Sequence, residues 1–210
     1  MNNTSKGYFD NIANQWDTMR TGFFPEAVRD QAMKLANVQA GDVVADVGAG
    51  SGFLTEALLQ AGASVIAIDQ SPAMLDVIRA KFPDAPVTYR VGTAENLQVD
   101  DNSVDHAMAN MYLHHVEHPP QAIAEIVRII NPGGSLVITD LDSHDFEFLR
   151  EEQHDRWLGF ERTDMQAWFE AAGLQDVRVE AVGSNCCADS QCGTLKADVS
   201  IFAAYGRKPL

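Results

Sequence analysis

Positive charge is scarce in this chain. Its 210 residues include 15 Lys and Arg against 30 Asp and Glu, for a net charge of −15. A phosphate-rich partner therefore meets repulsion over most of the surface, and nucleic acid is not expected as a substrate. Long apolar runs are also missing: nothing approaches the ~18 to 20 residues of a membrane span, and the N-terminus has no apolar leader core. The expectation is a cytoplasmic protein with no membrane partner. Repeats, low-complexity tracts and linker-like composition shifts are absent, which leaves residues 1–210 to be read as one domain. Cysteine is limited to three, an odd number that argues against a disulfide framework.

What is present alternates. β-branched runs near 43–47, 64–68, 87–91, 104–109, 135–140, 176–182 and 198–205 read as strands, and 3.6-residue periodicity suggests helices near 5–18, 25–37, 53–61, 72–81, 120–130 and 164–172. Pro72 and Pro119 suit first helical turns, and Gly173 suits a helix stop. Strands alternating with helices imply an α/β, doubly wound fold. Residues 1–40 would form an N-terminal helical cover and residues 141–175 a substrate cap.

The most informative stretch is Val43-Val44-Ala45-Asp46-Val47-Gly48-Ala49-Gly50-Ser51-Gly52-Phe53, a strand that turns sharply into a helix through three alternating glycines. The N–H groups of the helix would point back into a nucleotide-cofactor pocket. Asp46 narrows the choice of ligand. A carboxylate beside the first glycine would repel a pyrophosphate, so it suits a ligand with positive charge and no phosphate, such as S-adenosylmethionine. The same acid, and GxGxG in place of GxGxxG, argue against a dinucleotide-dependent oxidoreductase. A second run, Ser64 to Ile68, ends in Asp69, where doubly wound folds place an acid on ribose hydroxyls.

With Asp69-Gln70-Ser71-Pro72-Ala73-Met74-Leu75, Gly92-Thr93-Ala94-Glu95-Asn96-Leu97 and Asn131-Pro132-Gly133-Gly134 added, the chain over residues 7–140 resembles the class I S-adenosylmethionine-dependent methyltransferases. The resemblance implies a Rossmann-like, seven-stranded, mostly parallel sheet whose last strand inserts antiparallel. It also implies that Asp46, Gly48, Ala49, Gly50 and Gly52 hold the methionine moiety, and that Asp69 takes the ribose. Gln70 and Met74 would flank the adenine, with Ala94 and Glu95 at its edge. Thr93 stands where many relatives have an acid. Asn110 would face the sulfonium and the substrate. Tyr8, Trp16 and Arg20 lie in a segment similar to the covering helix of small-molecule methyltransferases, Arg20 as a partner for the cofactor carboxylate. Asn110-Met111-Tyr112-Leu113 does not match the Asn-Pro-Pro-Tyr pattern of base-amino methyltransferases. The product would be S-adenosylhomocysteine, the acceptor a small molecule, and the protein a monomer or homodimer.

Two clusters remain. His114-His115-Val116-Glu117-His118-Pro119 begins where the fourth strand ends, and His114, His115 or the later His144 could serve as general base. The spacing differs from a helical His-Glu-x-x-His zinc site, since adjacent helical residues point in different directions. The region from Asp140 to Asp145, followed by His154-Asp155-Arg156-Trp157-Leu158-Gly159-Phe160, resembles methyltransferase domains found fused to, or near, regulators of the arsenic-sensing type. Cys186, Cys187 and Cys192 fall in one expected loop, where they would be either incidental thiols or a site for a soft metal or thiophilic metalloid. The acceptor is accordingly read as a thiol or metalloid, with a non-catalytic protein that binds cofactor or soft metal as the alternative.

Overall fold

The computed structural model describes residues 5–190 and 193–210. Seven strands form one sheet: β1 (Val43–Val47), β2 (Ser64–Asp69), β3 (Val87–Val91), β4 (Val104–Asn110), β5 (Ile130–Leu141), β6 (Gln175–Asp189) and β7 (Lys196–Arg207). Their order is β3-β2-β1-β4-β5-β7-β6, with β7 antiparallel to both neighbours and the first five strands parallel. The expected doubly wound, seven-stranded sheet is therefore present. The order reverses between β1 and β4, and open α/β sheets bind ligands in the crevice at such a switch point.

Parallel strands buried on both faces read as continuous apolar runs, which is what Val44, Ala45 and Val47 of β1 provide. Helices α3 (Ala27–Ala36) and α4 (Phe53–Gln60) cover one face, through Ala32, Leu54 and Leu58 packed on Val44, Val65 and Met108. On the other face α6 (Pro119–Ile129) and α8 (Arg162–Ala171) bring Ile123, Ile126 and Phe169 against Ala107, Leu136 and Phe202. Phe169 and Phe202 are fully buried, and truncating either to alanine costs ~3 to 5 kcal/mol by the usual measure of an emptied core site. Helix α5 (Pro72–Lys81) starts with proline in its first turn and is capped by Ser71, whose Oγ accepts from Met74 N at 3.2 Å.

Three segments depart from the sequence expectation. The first helix is not continuous over 5–18: α1 (Ser5–Ile12) and α2 (Trp16–Arg20) are separated by a 3₁₀ turn at Ala13–Gln15. A short α7 (Phe148–Glu152) lies in the cap region, where five residues give too little periodicity to read. The last two strands are much longer than expected. A register shift between Ala181 and Asn185, with Gly183 at φ +79°, lets β6 continue to Asp189. The bulge interrupts the period-two pattern that marks a strand, so the far half of β6 looks like loop in the sequence.

Candidate active site

A cavity of about 390 Å³ opens at the carboxyl ends of β1, β2 and β4, within the usual range for a small-molecule site. It is lined by Asp46, Gly48, Ala49, Gly50, Asp69, Gln70, Met74, Ala94, Glu95 and Asn110, together with Trp16 and Arg20 from the N-terminal helices. Two expected residues lie elsewhere. Gly52, at φ +96°, caps α4 and sits where a Cβ would meet Ile78 at 3.2 Å, so its place is in helix packing. Tyr8 points toward the cap, donating to Gln153 Oε1 at 3.1 Å and lying 4.9 Å from the His154 ring. Its neighbour Phe9 faces the cavity instead, as do Phe53 and Tyr112. Phe9 shares the covering helix with Tyr8, but residues one apart face different ways, and the sequence does not say which.

The glycine loop is shaped by close approach. Gly48 has φ +69°, and a Cβ there would lie 2.2 Å from Tyr112 Cδ2, so only glycine fits. Asp69 organises the same loop: its Oδ2 accepts from Gly50 N at 2.9 Å and its Oδ1 from Ser71 N at 2.8 Å. The Gln70 amide also favours the carboxylate, which leaves about one of its four lone-pair sites uncommitted. Asp46 accepts from Thr55 Oγ1 at 2.6 Å. Burial raises both acids, Asp46 to about 7 and Asp69 to about 6, against the hydrogen bonds that favour their charged forms. Among the described residues neither is in an ion pair.

The N-terminal helices close the cavity through two hydrogen bonds to serines. Ser51 Oγ donates to Asp17 Oδ1 at 2.5 Å, and Ser71 Oγ donates to Asp10 Oδ1 at 2.6 Å. Lys81 ties the same corner, pairing with Asp17 and donating to the Ser51 carbonyl at 2.7 Å. Arg20 stacks over Phe53, its guanidinium carbon 4.0 Å from the ring centroid, and burial lowers its pKa. Its buried Nε has no hydrogen-bond partner among the described residues.

A second, smaller cavity of about 60 Å³ adjoins the first and shares Phe9, Trp16, Phe24, Met111 and His115 with it. Met111, just past β4, is held at φ +49°, a strained conformation for a residue with a Cβ. Beyond it the chain turns through Leu113–His115, which sets both histidine rings at one end of the cavity. Asp140, fully buried at the end of β5, accepts from His114 Nδ1 at 2.6 Å and from the Leu113 and His114 amides at 2.8 and 3.3 Å. His114 Nε2 faces Asp155 Oδ1 at 3.8 Å. Burial opposes charge on His114 but is outweighed by Asp140 and Asp155, which carry its pKa up to about 9. His115 is pushed well below its ordinary value by burial and by its charged neighbour.

The cap wraps onto this turn. Arg156 N and Trp157 N both donate to the His114 carbonyl at 3.0 Å, and Trp157 Nε1 donates to Val116 O at 2.8 Å. Gly159, at φ +70°, lies where a Cβ would meet the Asp142 carbonyl at 2.1 Å. His144 sits on the cap, lines neither cavity, and has its pKa lowered by burial. Asp155 was missed in the sequence because its partners lie about forty positions earlier.

Cys186 and Cys187 are in a strand and not in a loop. Cys186 and Cys187 lie in β6, opposite Val199 and Asp198 of β7, so consecutive side chains point to opposite faces. Cys186 reaches the second cavity, with its thiol pushed up to about 12 by burial and by Asp155, whereas Cys187 is exposed. Cys192 lies outside the described residues.

The fold is Rossmann-like, and its crevice lies at the switch point where doubly wound sheets bind ligands. Residues 45–138 match the family described as a methyltransferase domain. Among curated proteins, an uncharacterized methyltransferase of Mycobacterium tuberculosis is 38% identical over 128 residues, 61% of this chain and 49% of the relative. A demethylmenaquinone methyltransferase of Paenarthrobacter aurescens is 33% identical over 135 residues, 63% of this chain and 53% of that protein. The chain thus spans about half the length of the curated relatives it matches. Among solved structures, the cyclase SpnF superposes with a TM-score of 0.75 at 17% identity, covering 99% of this chain and 97% of that one. At that identity the likeness concerns the fold alone.

Proposed function

We propose that the chain transfers the methyl group of S-adenosylmethionine to a small organic acceptor seated in the second cavity, releasing S-adenosylhomocysteine. The observation that carries this reading is the pair Asp46 and Asp69, one buried and one half-buried carboxyl on one cavity with no cationic side chain bound to either among the described residues. A ligand with positive charge at one end and vicinal hydroxyls in the middle satisfies both, and a pyrophosphate satisfies neither. The residues present fit such a group: Asp69 keeps a free lone-pair site for a hydroxyl, and Arg20 brings an unpaired buried N–H to the same cavity, suited to a carboxylate.

When bound, the cofactor supplies a methyl group already activated by positive sulfur. What remains for the protein is alignment and exclusion of water. In this reading Asp46, Gly48, Ala49 and Gly50 hold the methionine portion and Asp69 the ribose. Gln70, Met74, Ala94 and Glu95 surround the adenine, while Asn110 lines the cofactor cavity and Met111 lines both cavities. Phe9, Trp16, Phe23, Phe24, Leu141 and Leu149 give the acceptor cavity apolar walls with His114, His115 and Asp155 at one end. That chemistry suits an acceptor with an apolar body and one ionisable heteroatom, whose proton the neutral His115 would accept, with the charged His114 beside it. At about 60 Å³ the cavity is small, so an acceptor of more than a few heavy atoms would extend from it into the larger cavity that it adjoins.

An organic acceptor is favoured over a metalloid held by thiolates, because Cys186 and Cys187 point to opposite faces and the cavity-facing thiol stays protonated. The test is S-adenosylhomocysteine formation, followed by mass spectrometry, with quinols, phenols, small thiols and trivalent arsenic offered as acceptors. Formation with an organic acceptor, lost in Asp46→Ala, is expected. Arsenic-dependent formation lost in Cys186→Ser would restore the metalloid reading. Cofactor binding without product from any acceptor would favour the non-catalytic alternative.

A further inference from the structure

His114, His115 and Asp155 come from two segments about forty residues apart, yet one ligand atom of each lies within 4.8 Å of the others. Asp155 Oδ1 is 3.8 Å from both His114 Nε2 and His115 Nδ1. Around a tetrahedral ion with bonds of ~2.1 Å, ligand atoms stand roughly 3.4 Å apart, so each carboxylate–imidazole separation need shorten only by a few tenths of an ångström. The two ring nitrogens lie within 4.8 Å of each other, and binding would replace the 3.3 Å contact of His115 Nδ1 with the His154 carbonyl. The sequence argued against such a site because adjacent helical side chains diverge. Here the residues occupy a single 3₁₀ turn behind the strained Met111, and their ring centroids are 4.1 Å apart.

Two features separate this cluster from a chance meeting of polar groups. First, His114 Nδ1 is taken by Asp140, which leaves Nε2 directed at Asp155. A carboxylate behind an imidazole is the usual outer support of a metal-bound histidine. Second, Asp155 is buried, and its ion-pair partners among the described residues are the two histidines. The backbone bonds from Arg156 and Trp157 to the His114 carbonyl hold the segment carrying Asp155 against the turn before any ion arrives.

We propose that His114, His115 and Asp155 form a binding site for a divalent transition-metal ion of the zinc class, with an open coordination position toward the acceptor cavity. Two imidazoles and one carboxylate suit borderline ions such as Zn²⁺ or Co²⁺ more than Mg²⁺ or Ca²⁺. All three residues line the second cavity, and His115 lines the cofactor cavity too. The ion would therefore offer an attachment point for the acceptor's heteroatom. That use rests on the methyl-transfer reading; the binding of the ion does not.

The experiment uses the full chain, free of any histidine tag and stripped by a chelator. It is titrated with zinc chloride against a chromophoric indicator and, separately, with cobalt chloride followed by visible absorption. Binding of one ion per chain is expected, with cobalt bands of a low-coordinate nitrogen and oxygen site and no thiolate charge-transfer absorption. Asp155→Asn and His115→Ala should each weaken zinc binding at least tenfold, while Cys187→Ser leaves it unchanged. S-adenosylhomocysteine affinity, measured in parallel, should persist in Asp155→Asn, which separates failure of the metal site from failure of the cofactor site. No stoichiometric zinc binding, binding undiminished in both variants, or a thiolate band with cobalt would overturn the proposal. The cobalt spectrum of the native chain gives its answer even if a variant fails to fold.

Discussion

Ser51 Oγ donates to Asp17 Oδ1 at 2.5 Å, joining the glycine loop to the second covering helix. The bond fastens the N-terminal helices over the cavity that Trp16 and Arg20 line. Asp17→Ala removes it together with the Lys81 pair. Asp17 and Lys81 are partly exposed, so the loss should be about 1 kcal/mol, read as roughly a fivefold weaker S-adenosylhomocysteine affinity. Calorimetric titration checks this, with circular dichroism expected to stay native.

Gly48→Ala should be far more severe. The new methyl would enter the Tyr112 ring and sit on a residue at positive φ, each costing ~1 to 3 kcal/mol. Urea unfolding should show that loss of stability, and cofactor binding should disappear at temperatures where the variant is still folded.

Cofactor binding should release protons near pH 6 to 6.5. Asp46 titrates at about 7 and Asp69 at about 6 because burial penalises their charge. Both values exceed the unfolded one near 4, so through these groups the free protein loses stability as pH rises from about 4 through 7. A cationic ligand favours the carboxylates and drives their protons off. Titration calorimetry in buffers of differing ionisation enthalpy should show release that fades by about pH 8.5 and shrinks in Asp46→Asn. Enthalpies independent of buffer at pH 6.5 would refute the coupling.

The two cysteines of β6 should behave differently. Cys187 is exposed and should react readily with a thiol reagent, whereas Cys186, raised by burial and by Asp155, should react slowly until the protein unfolds. Mass spectrometry of the labelled peptides distinguishes them.

Much of this architecture is legible in the sequence, because it rests on local signals. The run Val43–Val47, the glycines after it and Asp69 at the end of β2 each specify a strand, turn or cap without help from distant residues. The histidine cluster could be read only in half. His114 and His115 stand out where the fourth strand ends, but their partners Asp140 and Asp155 are supplied by β5 and by the cap, and no periodicity links such positions. The cysteines misled for a related reason: the bulge at Gly183 hides the far half of β6, so a strand with alternating faces resembles a loop of gathered thiols. His144 has the residue type of a general base, but it lies on the 141–175 segment and lines neither of the two cavities.

The most direct measurement is equilibrium binding of S-adenosylhomocysteine and of NAD to the native chain and to Asp46→Asn. One molecule of S-adenosylhomocysteine per chain, binding weakened at least tenfold by the substitution and no binding of NAD, is the expected result. NAD binding in its place, or S-adenosylhomocysteine affinity indifferent to Asp46, would contradict the assignment of this cavity.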